Sequence, residues 1–189
     1  MSIQSGVKKY GEKGNISAMK EIRNLAEKND CFKDVDYDAL PDEMKSKATS
    51  LLMFMVAKRN GIIKTRGVAH GGHQKVCMSK EDCSSPTLDF YAFKHACGTI
   101  AREGRDVGSL DLPSFFLQTH ADEEDEPMLL KLTGAVAMLL VESNRAKWEK
   151  HLKRKNGKWV MCVLATKWTC GTVKAAIKAC KKLTKALKG

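Results

Sequence analysis

Met19, Ile22, Leu25 and Ala26 recur at three-to-four spacing, which predicts an amphipathic helix over residues 16–28. Asn15 serves as its cap and Asn29-Asp30 as its stop. Residues 1–15 are polar and Gly-rich and read as a loop or arm, and residues 31–37 as a connecting segment. Pro41, followed by Asp42 and Glu43, predicts the start of a second helix. Proline suits an early helical position, and acids favour the positive end of the helix dipole. Residues 52–58 and 62–68 are apolar-rich runs on either side of Asn60-Gly61, which predicts a β-hairpin whose turn positions tolerate positive φ. Lys58, Arg59, Lys64 and Arg66 stud that hairpin. They mark either an exposed basic hairpin that closes over a polyphosphate or an edge strand guarded by lysines.

Further along, Phe90, Phe93, Cys97 and Ile100 share one face of a helix predicted over residues 89–102 and ended by Gly104. The reading is a core-packing helix. Residues 107–110 form a short strand-like run that delivers Asp111, and Leu112-Pro113 stops it. Residues 128–132 read as a strand, 134–143 as a buried helix and 145–155 as a basic helix. Asn156-Gly157 is a turn, and 159–164 is a buried strand. From 172 to 188, Val173, Ala176, Ile177, Cys180, Leu183 and Leu187 face one way. Lys174, Lys178, Lys181, Lys185 and Lys188 face the other, a basic amphipathic helix. The expected fold is α+β, a small mixed or antiparallel sheet flanked by helices. Its segments are a helical 1–50, a hairpin-bearing 51–105, and 106–189 ending in the basic helix.

Composition sharpens this picture at three points. The 189 residues suffice for one sizeable domain or two small ones, and 43% are hydrophobic. No run reaches the roughly 18 apolar residues of a membrane span, and residues 1–6 lack a signal-peptide pattern. An intracellular protein, cytoplasmic or nuclear, is expected. Seven cysteines, odd in number and irregularly spaced, point to free thiols. His70, His73, Cys77 and Cys83 do not match the paired short spacings of zinc ligands and read as a surface loop. The acids at 122–126 read as a solvated run, because consecutive loop side chains point apart.

The net charge is +11, and residues 144–189 hold fourteen Lys or Arg against one acid, Glu149. Such a field favours a polyanion or an anionic membrane surface; a solvated helix face is the plain alternative. The apolar face of 172–188 lacks Trp and Phe, which argues against membrane insertion.

The candidate chemistry centres on Asp111. A carboxylate at a strand end can hold a divalent cation, though it can equally serve a turn or cap. The frame Asp111-Leu-Pro-Ser-Phe-Phe-Leu-Gln resembles the first carboxylate motif of reverse transcriptases from copia-type LTR retrotransposons. Other blocks follow in matching order. Lys64-Thr-Arg66-Gly-Val-Ala, with Gly71-Gly72 and Gln74, resembles the family's fingers block. Ser84-Ser85-Pro86-Thr87 resembles the element before its long helix. Lys167-Trp-Thr-Cys-Gly171-Thr-Val-Lys174 is similar to its Ala-Leu-Tyr-Gly segment. Cys170 stands where Tyr is usual, Cys180 where Trp is common, and Phe115 replaces an Ala.

The resemblance implies an RNA-directed DNA polymerase built as fingers plus partial palm, with Mg²⁺ or Mn²⁺ as cofactor. Its partners would be an RNA/DNA template-primer and a dNTP, without a membrane. It implies Asp111 as the catalytic metal ligand, the Leu112 carbonyl assisting it, and a phosphate contact at Lys64 or Arg66. It also implies that Phe116 screens the sugar 2′ position, and that Gly171 and Lys174 lie under the nucleotide and template. Gln118 matches a polar position of the family. Two-metal transfer needs at least two converging carboxylates. No aromatic-x-Asp-Asp occurs in the sequence, so a copy truncated before that motif and inactive alone is expected. The alternative is a non-catalytic nucleic-acid-binding module using the basic hairpin and the lysine-rich helix. No Ser or Cys sits in an activating hydrolase motif.

Overall fold

β6 (Lys158–Ala165) is the strand around which the sheet forms. Its run Val160-Met-Cys-Val is buried residue after residue, as in a strand covered on both faces. Along one side it pairs antiparallel with β4 (Leu129–Thr133). Along the other it takes β5 (Lys153–Lys155) near its start and β1 (Phe32–Asp34) at its end. β4 adds β2 (Thr49–Ala57) in parallel through Thr49↔Leu130 and Ser50↔Lys131. β2 turns back antiparallel to β3 (Ile63–Ala69), from Leu51↔Ala69 to Ala57↔Ile63. The computed structural model describes residues 1–71, 88–121 and 127–188. Among them the six strands make one mixed sheet ordered β1-β6-β4-β2-β3, with β5 beside β6. The fold is α+β.

One face of the sheet is covered by α1 (Ile3–Arg23), which runs into a π turn (Asn24–Lys28) and packs on β2, β3 and α4 (Ala135–Ser143). Ile22, Leu25, Phe32, Leu51, Met55, Leu130, Leu132, Leu140 and Val163 close this core. Each buried side chain of this size contributes about 1.5–3 kcal/mol of transfer free energy. Residues from all three segments meet there.

Residues 3–15 are helical rather than a loop, with the chain kinked at Gly11. The reason is tertiary. The Met1 ammonium donates to the Met55 carbonyl at 3.1 Å, Met55 N–H donates to the Met1 carbonyl at 3.0 Å, and Ile3 is buried. Docking on β2 orders a stretch whose own propensity is poor. The second helix starts as expected, with Pro41 at the cap of α2 (Asp42–Ser46).

Both Asn-Gly pairs make hairpins, with different turns. At the first, Lys58 N–H bonds the Ile62 carbonyl around a three-residue loop, and only Gly61 has positive φ. At the second, Asn156 and Gly157 both do, giving a two-residue type I′ turn between Lys155 and Lys158. That tight turn draws 153–155 into β5. The basic helix expected over 145–155 therefore stops early, as α5 (Arg145–Trp148) and a 3₁₀ turn (Glu149–His151). The expected strand over 128–132, helix over 134–143, strand over 159–164 and C-terminal helix form as β4, α4, β6 and α6 (Val173–Lys188). Residues 31–37, read as a connecting segment, instead supply β1, because β6 offers them an edge to pair with, and Asn15 lies inside α1 rather than at its cap.

Two expectations fail around Asp111. The helix before it forms as α3 (Phe90–Glu103), capped by Asp89 and stopped by left-handed Gly104. None of its residues is buried, however, so it is not a core-packing helix. Periodicity specifies a helix with an apolar face; it does not supply a surface to cover that face. Residues 107–110 are exposed and form no strand with the described residues. A strand needs a neighbour for its backbone N–H and C=O groups, and no described strand lies beside this run.

The readings on Gly72, His73, Gln74, Cys77, Cys83, residues 84–87 and the acids 122–126 lie outside the described residues. Among the described residues no helix is long and apolar enough to cross a membrane.

Candidate nucleic-acid interface

The β2–β3 hairpin has one face against α1 and one open face. Thr65 and Gly67 turn toward α1. Thr65 Oγ1 lies 2.8 Å from Ser17 Oγ, and a Cβ at Gly67 would meet Leu25 at 2.6 Å. By the two-residue period of a strand, Lys64 and Arg66 stand on the other face, both exposed. Opposite them on β2 are Val56 and Phe54, also exposed. The open face is thus a column of apolar side chains beside a column of cations. Sequence reading identified Lys64 and Arg66; it missed Phe54 and Val56, which the hairpin register alone could have placed.

The free edge of β3 is occupied. Ser17 Oγ donates to the Ile63 carbonyl at 3.0 Å, and Gly67 N–H donates to Glu21 Oε1 at 2.9 Å. Ala69 N–H donates to the Cys170 carbonyl at 2.8 Å. These bonds fix the hairpin against α1 and leave its cationic face as the side open to a ligand.

The Cys170 contact brings together two blocks a hundred residues apart. Gly171 has φ +91°, and a Cβ there would sit 2.2 Å from the Ala69 carbonyl oxygen. Glycine is required on both counts, by the left-handed backbone and by the close approach. The end of β3 therefore lies directly on the residues that open α6. Burial pushes the Cys170 thiol up, and the nearby Arg66 guanidinium pulls it the other way. Arg66 lies on β3 three residues before Ala69, on the same face as Val68, which Gly171 approaches. Lys64 lies toward the hairpin tip, where with Lys58 it borders an open groove against α1.

The third block joins from the other side. Phe115–Gln118 forms a 3₁₀ turn packed on α6, and Lys182 Nζ donates to the Gln118 carbonyl. Residues 119–121 then pair with 166–168: Trp168 N–H bonds the Thr119 carbonyl at 3.1 Å, and Ala121 N–H bonds the Thr166 carbonyl at 3.0 Å. Phe116 is half-buried, its ring centroid 5.6 Å from that of Phe115. Thr119 Oγ1, Trp168 Nε1 and Thr169 Oγ1 are buried there without a hydrogen-bond partner among the described residues. Buried polar atoms without partners are uncommon. Lys174 is exposed on the first turns of α6.

Asp111 stands apart. It is exposed in the unpaired run before the 3₁₀ turn. Among the described residues, no three His, Cys, Asp or Glu side chains converge to hold a metal. A two-ion Mg²⁺ or Mn²⁺ site needs several carboxylate oxygens on rigid elements. One exposed carboxylate on an unpaired chain does not fit it. The structure thus sets the end of β3, with Arg66 and Lys64 farther back along that strand, against Gly171 at the opening of α6, which carries Lys174; the 3₁₀ turn with Phe116 packs on α6 through Lys182, and Asp111 is exposed in the run before that turn.

No protein-family model, curated protein or solved structure matches this chain.

Proposed function

We propose that this chain is the fingers and part of the palm of a copia-type reverse transcriptase, and that these residues bind template-primer and nucleotide without polymerising by themselves. The observation that carries the reading is the meeting at α6 of three blocks far apart in sequence. Arg66 on β3, Phe116 on the 3₁₀ turn and the Gly171-led helix are the blocks in which the sequence resembles that family. In this reading Arg66, rather than Lys64, is the phosphate contact beside Gly171, and Phe54 and Phe116 offer apolar surface to bases and sugar. Nucleotidyl transfer would need Mg²⁺ or Mn²⁺ and converging carboxylates, of which these residues supply Asp111.

The exposed setting of Asp111 favours a second reading, a module that keeps the basic face for binding nucleic acid and carries out no catalysis. Both readings expect salt-sensitive binding. Each neutralised phosphate contributes about 0.9 log unit of affinity per log unit of salt on a duplex.

The test is fluorescence anisotropy with a primed RNA template across a salt series, beside primer extension with Mg²⁺ or Mn²⁺. The expected result is binding that weakens steeply with salt, with Arg66→Glu lowering the slope by about one or more. Salt-independent or absent binding would overturn both readings. Extension by the parent chain that Asp111→Asn abolishes would overturn the statement that these residues do not polymerise by themselves, and would remove the second reading. Binding without extension from either chain leaves the binding role.

A further inference from the structure

The other end of the sheet carries a second basic surface, which the Arg66–Gly171 face does not include. β5 and the start of β6 form a hairpin rich in cations: Lys153, Arg154 and Lys155 before the turn, Lys158 after it, with Lys147 and Lys150 just upstream. Its register sets Arg154 directly opposite Trp159. The guanidinium lies 5.7 Å from the indole centroid. Trp159 is 41% exposed, whereas Trp148 and Trp168 are 1% and 5% exposed. An indole left in solvent beside an arginine plane is a stacking platform, and the lysines around it supply the charge that follows a phosphate backbone.

The opposite face of the hairpin is partly neutralised. Lys153 pairs with Asp38, and Lys155 sits 3.8 Å from the Tyr37 ring centroid. Lys158, opposite Lys155 in the register, stands on that same face at the turn. Among the described residues no carboxylate pairs with Arg154.

We propose that the Arg154–Trp159 face of the β5–β6 hairpin is a second contact for single-stranded nucleic acid, with a base stacked on Trp159 and phosphates held by Arg154 and the neighbouring lysines. An acidic peptide would satisfy the charge and leave the ring unused. A membrane surface would need an apolar flank, and the hairpin end around Trp159 is charged. The strand order separates this face from β3 by four strand spacings, roughly 19 Å along the sheet at about 4.8 Å each. The surface is independent of the Arg66 face and holds whether or not that face binds template.

The burial of the other two tryptophans makes the test specific, because Trp159 dominates any response of the indoles to a surface ligand. Intrinsic fluorescence is titrated with short oligo(dT), with anisotropy of labelled oligo(dT) alongside. The expected result is saturable quenching that weakens with salt and is lost in Trp159→Phe. Arg154→Glu, a surface change that leaves the indole in place, weakens the quenching titration about tenfold. Arg66→Glu leaves the quenching amplitude intact, which separates this surface from the first. Oligo(dT) that binds by anisotropy without altering Trp159 emission, and as tightly to Arg154→Glu as to the parent, overturns the proposal. Emission that shifts with phosphatidylserine vesicles but not with oligo(dT) overturns it in favour of a membrane surface.

Discussion

The β2–β3 hairpin and the segment 88–112 are both amphipathic, and the structure treats them oppositely. The hairpin buries one face on α1, and its β3 edge is bonded by Ser17, Glu21 and Cys170. Segment 88–112 forms a well-capped helix and an irregular tail, and buries none of its apolar residues. A local pattern therefore suffices to shape an element and does not suffice to place it. The hairpin is fixed because α1, β4 and the Gly171 strip each present a matching surface. Among the described residues α3 meets none.

The sharpest test compares equivalent truncations. Ile22, 0% exposed beneath the hairpin, should lose about 3–4 kcal/mol as Ile22→Ala. Phe93, 52% exposed on α3, should change by less than about 0.5 kcal/mol as Phe93→Ala. Urea titrations of the two variants give the comparison directly. A large loss at Phe93 would mean that α3 is packed in solution.

Glycine replacement should split the two regions by sign. Gly171→Ala forces a Cβ onto the Ala69 carbonyl and strains a left-handed residue, with an expected loss of about 3 kcal/mol. Gly98 lies inside α3, and a methyl group there would meet nothing within 4 Å, so Gly98→Ala should stabilise by about 0.5–1 kcal/mol through helix propensity. Thermal melts of the pair should move in opposite directions. Equal shifts would remove the contrast between a fixed and an unfixed region.

The thiols report the smallest effect, one that is absent at neutral pH. Cys97 on α3 is exposed and should react readily with a thiol reagent, while Cys31 should resist until the protein unfolds. Burial pushes the Cys31 thiol from 9.0 up to about 12. The unfolded thiol ionises first, so above pH 9 the unfolded state binds fewer protons than the folded one. The contribution is fully present below about pH 9 and is lost as pH rises toward 12. Denaturant midpoints should fall over that window, and less steeply in Cys31→Ala. An unchanged slope would mean that another group carries the alkaline loss.

The candidate residues Lys64, Arg66, Phe116, Gly171 and Lys174 could be chosen by motif, and the structure brings the end of β3, which carries two of them, onto Gly171. Their being neighbours could not be read, because it depends on Ala69 meeting Cys170 across a hundred residues. Nor could it be read which of Lys64 and Arg66 stands nearer Gly171 along β3, because the pairing of Ala69 with Cys170 sets it. The unpaired state of residues 107–110 was hidden for the same reason, since a strand is a property of two segments.

What the sequence by itself determined are the elements whose signals are local. These are the Asn60-Gly61 hairpin, the Asn156-Gly157 turn, the helix start at Pro41, the helix from residue 89, the buried run of β6 and the lysine stripe of α6. Turn dihedrals, capping bonds and hydrophobic periodicity act over a few residues, so they survive reading in one dimension. The tertiary structure alone decided that residues 3–15 are helical, that 32–34 and 153–155 join the sheet, and that no residue of α3 is buried among the described residues. Each of these outcomes depends on whether a distant segment offers a surface or a backbone partner, and that free energy exists only once the chain has folded.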